Sequence, residues 1–473
     1  MVAGAEPLLR LSLFVFVMVA ATAEARGVSP YLPVDISPEI ERKIERVLIL
    51  ADQPTLKRPF AAATVIDALP RACERDRVLC EEVRKYVTSL ARTAGISYAS
   101  VTAASGSGPD TALPNRHGMT SASNYEGAIA AYWQPGDSFL VTGGVLAYEG
   151  EATPTGTVVS FGSDFAQFDV GYRDHWWSPA QGNAMLLSTQ AATMPSVTVS
   201  NYRPLTKAKL RYEAFVARMS ESSNIAIDGG TTAGHPQLAG LHLSIEPLPG
   251  WSLGVSRIMQ YGGGDRPDSF GDLLNAFFNP SDKDNAAPGS TEEFGNQVAS
   301  LTSQFVVGKP LPLTIYFEYA GEDTSTLSNF RLGNAALSAG IAFPQLGRRF
   351  SATFELTEWQ NGWYVHHIYA DGLRHEDHVL GHWGGDWRLL NDGVGAQSAF
   401  ARLSVEQVLG GAIEASYRQL DNEDYSGGNY ETARQIDARY SRPWGQVFVG
   451  GEVTAGRDVF GESYSRVGAF IRF

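Results

Sequence analysis

The last eight residues, Arg466-Val467-Gly468-Ala469-Phe470-Ile471-Arg472-Phe473, alternate in character and stop on an aromatic. Strand side chains repeat every two residues, so Val467, Ala469, Ile471 and Phe473 project to one side and Gly468, Phe470 and Arg472 to the other. Left at a sheet edge, such a half-apolar strand would template pairing with foreign strands. A barrel removes the edge, because its last strand pairs with its first and every backbone group finds a partner in lipid. The octet therefore predicts an all-β, antiparallel transmembrane barrel of the bacterial outer membrane.

The beginning of the chain agrees. Arg10 precedes an apolar run from Leu11 to Ala21, followed by Thr22-Ala23-Glu24-Ala25, the pattern of a secretory signal peptide over residues 1–25. The run falls short of the roughly 20 residues a membrane helix needs. Forty-nine glycines, 19 Tyr, 23 Phe and 9 Trp accompany a hydrophobic fraction of only 44%, as expected when half of each strand faces polar groups. The formal net charge of −14 argues against nucleic acid as a partner and against a polybasic membrane patch. Cys73 and Cys80 are the only cysteines, and in an oxidising compartment they predict a local disulfide.

Helical periodicity is confined to residues 36–93. Ser37-Pro38 reads as N-cap and first helical residue, and Ile36, Ile40, Ile44, Val47 and Leu48 form one apolar stripe. A second helix is expected over Phe60–Leu69, ended by Pro70, and a third over Asp76–Ala91, with the cysteines at their junction. Residues 26–104 are thus expected to be a periplasmic α-helical bundle. A flexible joint, Ala103-Ala104-Ser105-Gly106-Ser107-Gly108-Pro109, would lead into a barrel over 105–473. Beyond it, period-two segments dominate. In 313–319, Leu313, Ile315, Phe317 and Tyr319 would face lipid, with Thr314, Tyr316 and Glu318 inside; Asp169 and Glu452 also fall in the inward phase. Sixteen to eighteen such segments can be placed, with outer loops near 174–204, 262–297 and 361–393.

Three of these loops concentrate aromatic, acidic and glycine residues: His175-Trp176-Trp177-Ser178-Pro179, Ser256 to Pro267, and His366 to Gly372 with Leu380 to Trp387. Adjacent tryptophans suit either a packed plug or a platform for sugar rings. Trp176-Trp177-x-Pro179, Ser256-Arg257-Ile258-Met259-Gln260, Arg266-Pro267-x-Ser269, Lys283-Asp284-Asn285, Gly295-Asn296-Gln297, Gly321-Glu322-Asp323, and the 366–372 and 381–386 stretches together resemble the Wzi family of capsule-assembly outer-membrane lectins. The match is collinear over roughly 160–390. His175 and Ser178 depart from the Gln and Gly expected there, and the cysteine pair is not part of the family pattern.

The resemblance implies an eighteen-stranded barrel closed by its own loops, without enzymatic activity, that binds capsular or extracellular polysaccharide and retains it at the cell surface. Outer-membrane lipid and the polysaccharide export machinery are the other candidate partners; no cofactor or metal is implied. Trp176, Trp177, Tyr369, Trp383 and Trp387 would stack on sugars. Asp371, Asp386, Glu322 and Asp323 would accept hydroxyl hydrogen bonds, and Arg257 and Arg266 would meet acidic sugars. Residues of this set that lie in the lumen would instead form a plug, Arg257 foremost. The alternative is an open sugar porin. Three further readings are weaker: a zinc cluster of His375, His378 and His382, a carboxylate pair for glycoside cleavage from Glu322, Asp323 and Asp371, and a calcium site at Asp282, Asp284 and Asn285.

Overall fold

The computed structural model describes residues 27–278, 293–308, 310–322, 332–347, 349–424 and 427–473. The signal-peptide reading over 1–25, Asp323, and the Asp282–Asn285 calcium reading lie outside these residues.

Eighteen antiparallel strands form one closed sheet. They are β1 (Ala94–Ser107), β2 (Tyr125–Gly136), β3 (Phe139–Tyr148), an interrupted β4 (Glu151–Thr153 and Val158–Gly162), β5 (Gln167–Tyr172), β6 (Pro195–Ser200), β7 (Arg211–Arg218), β8 (Gln237–Leu248) and β9 (Trp251–Tyr261). The second half comprises β10 (Gly295–Val307), β11 (Leu313–Glu322), β12 (Ala335–Leu346), β13 (Phe350–Trp359), β14 (Ala396–Val408), β15 (Gly411–Asn422), β16 (Ala433–Trp444), β17 (Val447–Arg457) and β18 (Ser463–Arg472). Each strand pairs with its neighbours in sequence, and β18 pairs back onto β1, with Val101 opposite Ile471 and Ser107 opposite Ser465. The terminal octet occupies the seam expected of it. Phe470 and Arg472 are buried inside, while Val467 and Ile471 face out.

The alternation is lipid-out and polar-in, as the cost of roughly 2–4 kcal/mol for a charge on the lipid face at mid-bilayer demands. Phe317 and Tyr319 of β11 are exposed outside, and Thr314, Tyr316 and Glu318 are buried inside. Glu452 is held within by Arg466 (2.9 Å) and Arg472 (3.1 Å). Turns at one end are short, for example 137–138, 249–250, 409–410 and 445–446; the segments 108–124, 173–194, 219–236, 262–294 and 360–395 all leave from the other end.

Three helices, α1 (Pro38–Leu50), α2 (Ala62–Cys73) and α3 (Arg77–Ser89), sit at the short-turn end. Their shared core of Ile44, Val47, Leu48, Val65, Leu69, Leu79, Val83 and Val87 continues onto Tyr132 and Leu140 of the barrel. So small a bundle needs that wall to complete its core. Arg46 of α1 bonds Glu406 (2.8 Å), and Glu39 accepts from Arg472 of β18 (3.1 Å). The disulfide Cys73–Cys80 joins the end of α2 to the start of α3.

Three local expectations are corrected. Ser37 stands at the N-cap of α1 but its side chain makes no capping bond. Pro70 does not end the second helix, which runs on to Cys73. The hydrogen bond it forfeits is to Ile66, whose side of the helix faces outward. The segment 103–109 is no flexible joint, because Ala103 to Ser107 are the last residues of β1, paired along their length with β18, and Ala103 also pairs with β2. Its small residues fit a strand packed closely at the seam: a Cβ on Gly106 would lie 2.2 Å from the Ser121 carbonyl.

Candidate functional site

The segment 173–194 turns back from the long-loop end into the barrel and crosses its interior. There it meets the stretch between α1 and α2, where Arg58 and Trp176 exchange backbone bonds of 2.9 and 3.1 Å. The hub of this crossing is Glu213 of β7, fully buried. Its carboxylate accepts from Arg173 Nη2 (2.6 Å), Lys57 Nζ (2.8 Å), His175 Nδ1 (2.9 Å) and Trp177 Nε1 (2.9 Å). Arg173 also reaches Asp169 (2.9 Å) and stacks 3.9 Å from the Tyr31 ring. Ser178 Oγ donates to Glu318 (2.7 Å). The two departures from the family pattern, His175 and Ser178, are thus both taken up by lumenal carboxylates. A buried charge must be paired and hydrogen-bonded to be tolerated, and here each serves as an anchor for the crossing segment.

The sugar-stacking expectation requires exposed rings, and the five aromatics are not exposed. Trp176 and Trp177 are 1% and 0% accessible, Tyr369 1%, Trp383 0% and Trp387 3%. Their polar atoms are spent internally. Trp176 donates to the Ala180 carbonyl (3.1 Å), Trp383 to Asn183 Oδ1 (3.0 Å), Trp387 to the Ala112 carbonyl (3.0 Å) and Tyr369 to the Gly262 carbonyl (3.2 Å). Trp177, Trp363, Trp383 and Trp387 share one apolar cluster with Met185, Leu186, Leu373 and Leu380. The reason is area: each ring buries 150–250 Å² and outweighs the loop entropy only by packing.

The charged candidates divide in the same way. Asp386 is buried and saturated, accepting from Arg374 (2.7 Å), the Val379 amide (3.0 Å), Gln190 (2.6 Å) and His378 (3.0 Å). Burial alone would raise its carboxyl, yet the His378 bond and the Arg374 charge hold it below the usual carboxylate range. Glu322 accepts from Asn296 (3.2 Å) and the Tyr364 amide (3.0 Å). Arg266 is buried and donates to the carbonyls of Ala226 (2.6 Å) and Glu293. Asp371 is half-buried near the loop surface.

Arg257 is the clearest correction, because it does not face the lumen. Its register partners Leu241 and Ala299 are outward positions, and its guanidinium meets the carbonyls of Ala276 (2.9 Å) and Phe277 (2.7 Å) at the end of a helix α4 (Phe270–Phe278) on the outer wall. The Phe277 ring lies 5.3 Å away. The inward expectation took a strand-borne Arg to be held by lumenal carboxylates; the register, in step with Leu253 and Val255, puts it outside.

The histidines do not converge. His375 Nδ1 accepts from the Ser220 amide (2.9 Å), His378 serves Asp386, and His382 accepts from Gly384 (3.0 Å) and meets Ser398 (3.0 Å). Burial pushes His375 down to about 4 and His382 to about 3, the latter with help from Arg418 and Arg388. Among the described residues, Glu293, His366 and His367 bring possible ligand atoms within 4.8 Å of one another. His366 Nδ1 accepts from the Ile368 amide (3.2 Å), so the neutral ring carries its proton on Nε2, against metal binding there. What sequence reading missed is the Glu213–Arg173–Lys57 hub. The available signal was Glu213 in the inward phase between outward Tyr212, Ala214 and Val216.

At the short-turn end a cavity of about 1300 Å³ lies between α1, α3 and the inner wall, lined among others by Arg42, Arg46, Arg402, Glu414 and Arg439. Gln181 of the crossing segment lines it too, and a smaller space of about 110 Å³ between Gln181, Arg116, Arg418 and Asp437 adjoins it.

Closed sheet, apolar exterior and charge-lined, chain-filled interior define a membrane-spanning β-barrel of the outer-membrane class. A family model described as capsule assembly protein Wzi matches residues 97–390, and the chain belongs to that family. A solved structure, that of Wzi from Escherichia coli, superposes with a TM-score of 0.69 at 16% identity, covering 94% of this chain and 99% of the other. That protein is described as an outer-membrane protein involved in group 1 capsule assembly and a carbohydrate-binding β-barrel. A 55.8 kDa protein in the cps region of Klebsiella pneumoniae is 35% identical over 97 residues, which span 20% of this chain and 18% of that relative's length.

Proposed function

We propose that this protein is a non-enzymatic surface lectin that holds capsular or extracellular polysaccharide on the outer membrane. Membership of the capsule-assembly family supports this, and so does the carbohydrate binding described for the E. coli barrel. The observation that carries it against the porin reading is the crossing segment 173–194, bolted to Glu213 and Arg58, with a tryptophan-rich core filling the space above it. A barrel occupied in this way offers polymer its loop surface rather than a route through.

With the aromatics, Asp386, Glu322 and Arg266 engaged inside, contact falls to the exposed carboxylates of the long-loop end. Asp265 accepts from Thr232 of the 222–234 hairpin (3.2 Å), and Asp268 accepts from Gln237 at the start of β8 (3.3 Å). Glu376 and Asp377 form the tip of the 374–379 hairpin, both at positive φ as its two-residue turn requires. Carboxylates accept sugar hydroxyls at about 1 kcal/mol net each, so retention rests on many repeat units engaging many copies. In this orientation the helical bundle faces the periplasm, where the export machinery is the candidate partner.

The test is a strain without the protein, complemented by wild type or by D265N/D268N/E376Q/D377N. The expected result is polymer made at normal size and yield but shed into the medium without the protein, with partial shedding in the fourfold variant. Unchanged attachment in the deletion strain overturns the lectin reading. Steady large single-channel currents from pure wild-type protein would favour a porin.

A further inference from the structure

Helix α4 lies outside the barrel, against a wall that elsewhere faces lipid. Its inner face, Leu273, Ala276 and Phe277, covers Ala239, Met259, Tyr261 and Phe294, with Val216 at the margin. Its outer face shows Phe270, Leu274 and Phe278 at four-residue spacing, and Phe278 is 71% exposed. Beneath the helix sit the polar wall residues Arg257 and Gln297, hydrogen-bonded to each other.

Height makes the arrangement informative. Trp251, stacked on Phe305 at 5.7 Å, opens β9 at the short-turn end. Arg257 is six residues further, about 20 Å along the strand at roughly 3.3 Å per residue. At a tilt of about 40° that is roughly 15 Å of height, inside an apolar band about 25 Å tall. On this sector the bare wall therefore interrupts its apolar column between Val255 and Met259 and presents a cation where hydrocarbon should be.

We infer that α4 completes the lipid-facing belt: it roofs Arg257 with its C-terminal carbonyls and seats Phe270, Leu274 and Phe278 among the acyl chains of the outer leaflet. Cations are favoured at a helix C-terminus, where unsatisfied carbonyls carry partial negative charge. An exposed apolar stripe on a helix lying along the bilayer boundary is the pattern of an interfacial segment. Val255 and its register partners Leu243 and Leu301 are exposed on the wall two residues below Arg257, so the helix stands over a lipid-facing sector, which fixes acyl chains as the occupant. The inference is independent of sugar binding and survives if that reading fails.

The test uses the full chain in lipid vesicles, spin-labelled at Leu274→Cys or Phe278→Cys, with Leu301→Cys as the belt reference and Asp265→Cys as the aqueous one. Cys73 and Cys80 are joined and take no label. Heat-modifiable migration on gels checks that each barrel is folded. Both α4 labels are expected to be reached by oxygen rather than by a water-soluble nickel complex, within about twofold of the Leu301 ratio. Accessibility like that of Asp265 at both sites overturns the inference. Dipolar broadening between labelled chains also overturns it, by naming a second copy as the occupant.

Discussion

Replacing Glu213 with Ala should release the segment that crosses the lumen. The substitution leaves Arg173 with Asp169 at 2.9 Å, but leaves Lys57 only the Tyr212 carbonyl at 3.5 Å. Breaking a buried ion pair from one side costs about 3–5 kcal/mol. Lys57 keeps some contact with water, which places this contribution near the lower end. The buried donors of His175 and Trp177 lose their acceptor as well, at about 1–3 kcal/mol each. Shared relaxation makes these contributions non-additive, so a net loss of about 4 kcal/mol is expected. At 1.4 kcal/mol per factor of ten, amides held by the crossing should exchange roughly 1000-fold faster. Those of Trp176, bonded to Arg58, and Trp177, bonded to Leu187, report it directly. Hydrogen exchange with mass spectrometry on the folded barrel reads the effect, and bilayer conductance should rise with it. Adding Lys57→Met to Glu213→Gln should recover part of the loss by removing the stranded cation. Exchange at both amides within threefold of wild type would refute the hub.

Two further outcomes follow from the same interior. Gly240 faces inward where a Cβ would lie 2.3 Å from the Phe215 ring and 2.7 Å from that of Trp177, so Gly240→Ala should cost about 1–3 kcal/mol by overpacking, read as a lower urea midpoint for the loop. The His378–Asp386 pair gives a pH window. Burial opposes the His378 charge, but the Asp386 bond outweighs it and raises His378 above 6.5, while Asp386 is held below 3.8. The His378 contribution is complete below about 6.5 and lost as pH rises through its raised value; the Asp386 contribution is complete above 3.8 and lost as pH falls through its lowered one. Protection of the Val379 amide, corrected for intrinsic exchange, should therefore peak between about pH 4 and 6.5. A flat profile across pH 4–9 would remove the pair from the loop's stability.

Which features could be read in advance follows from the range of the forces involved. Strand phase is local, and it placed Thr314, Tyr316, Glu318, Asp169 and Glu452 inside and the C-terminal octet at the seam. Helix stripes are local too, so α1 stands where its isoleucines put it. Burial of a loop aromatic is not local. Nothing in His175-Trp176-Trp177 distinguishes a platform in water from a ring against Phe215 of β7, because the deciding atoms lie about 40 residues away.

The amino-acid order by itself determined a closed, lipid-embedded cylinder with helices at one end, since alternation and periodicity act between neighbours. Only the tertiary structure decided that the motif residues turn inward around Glu213 while Arg257 turns outward beneath α4. Pairing a buried charge or hiding a ring depends on partners that meet only when the chain has closed on itself.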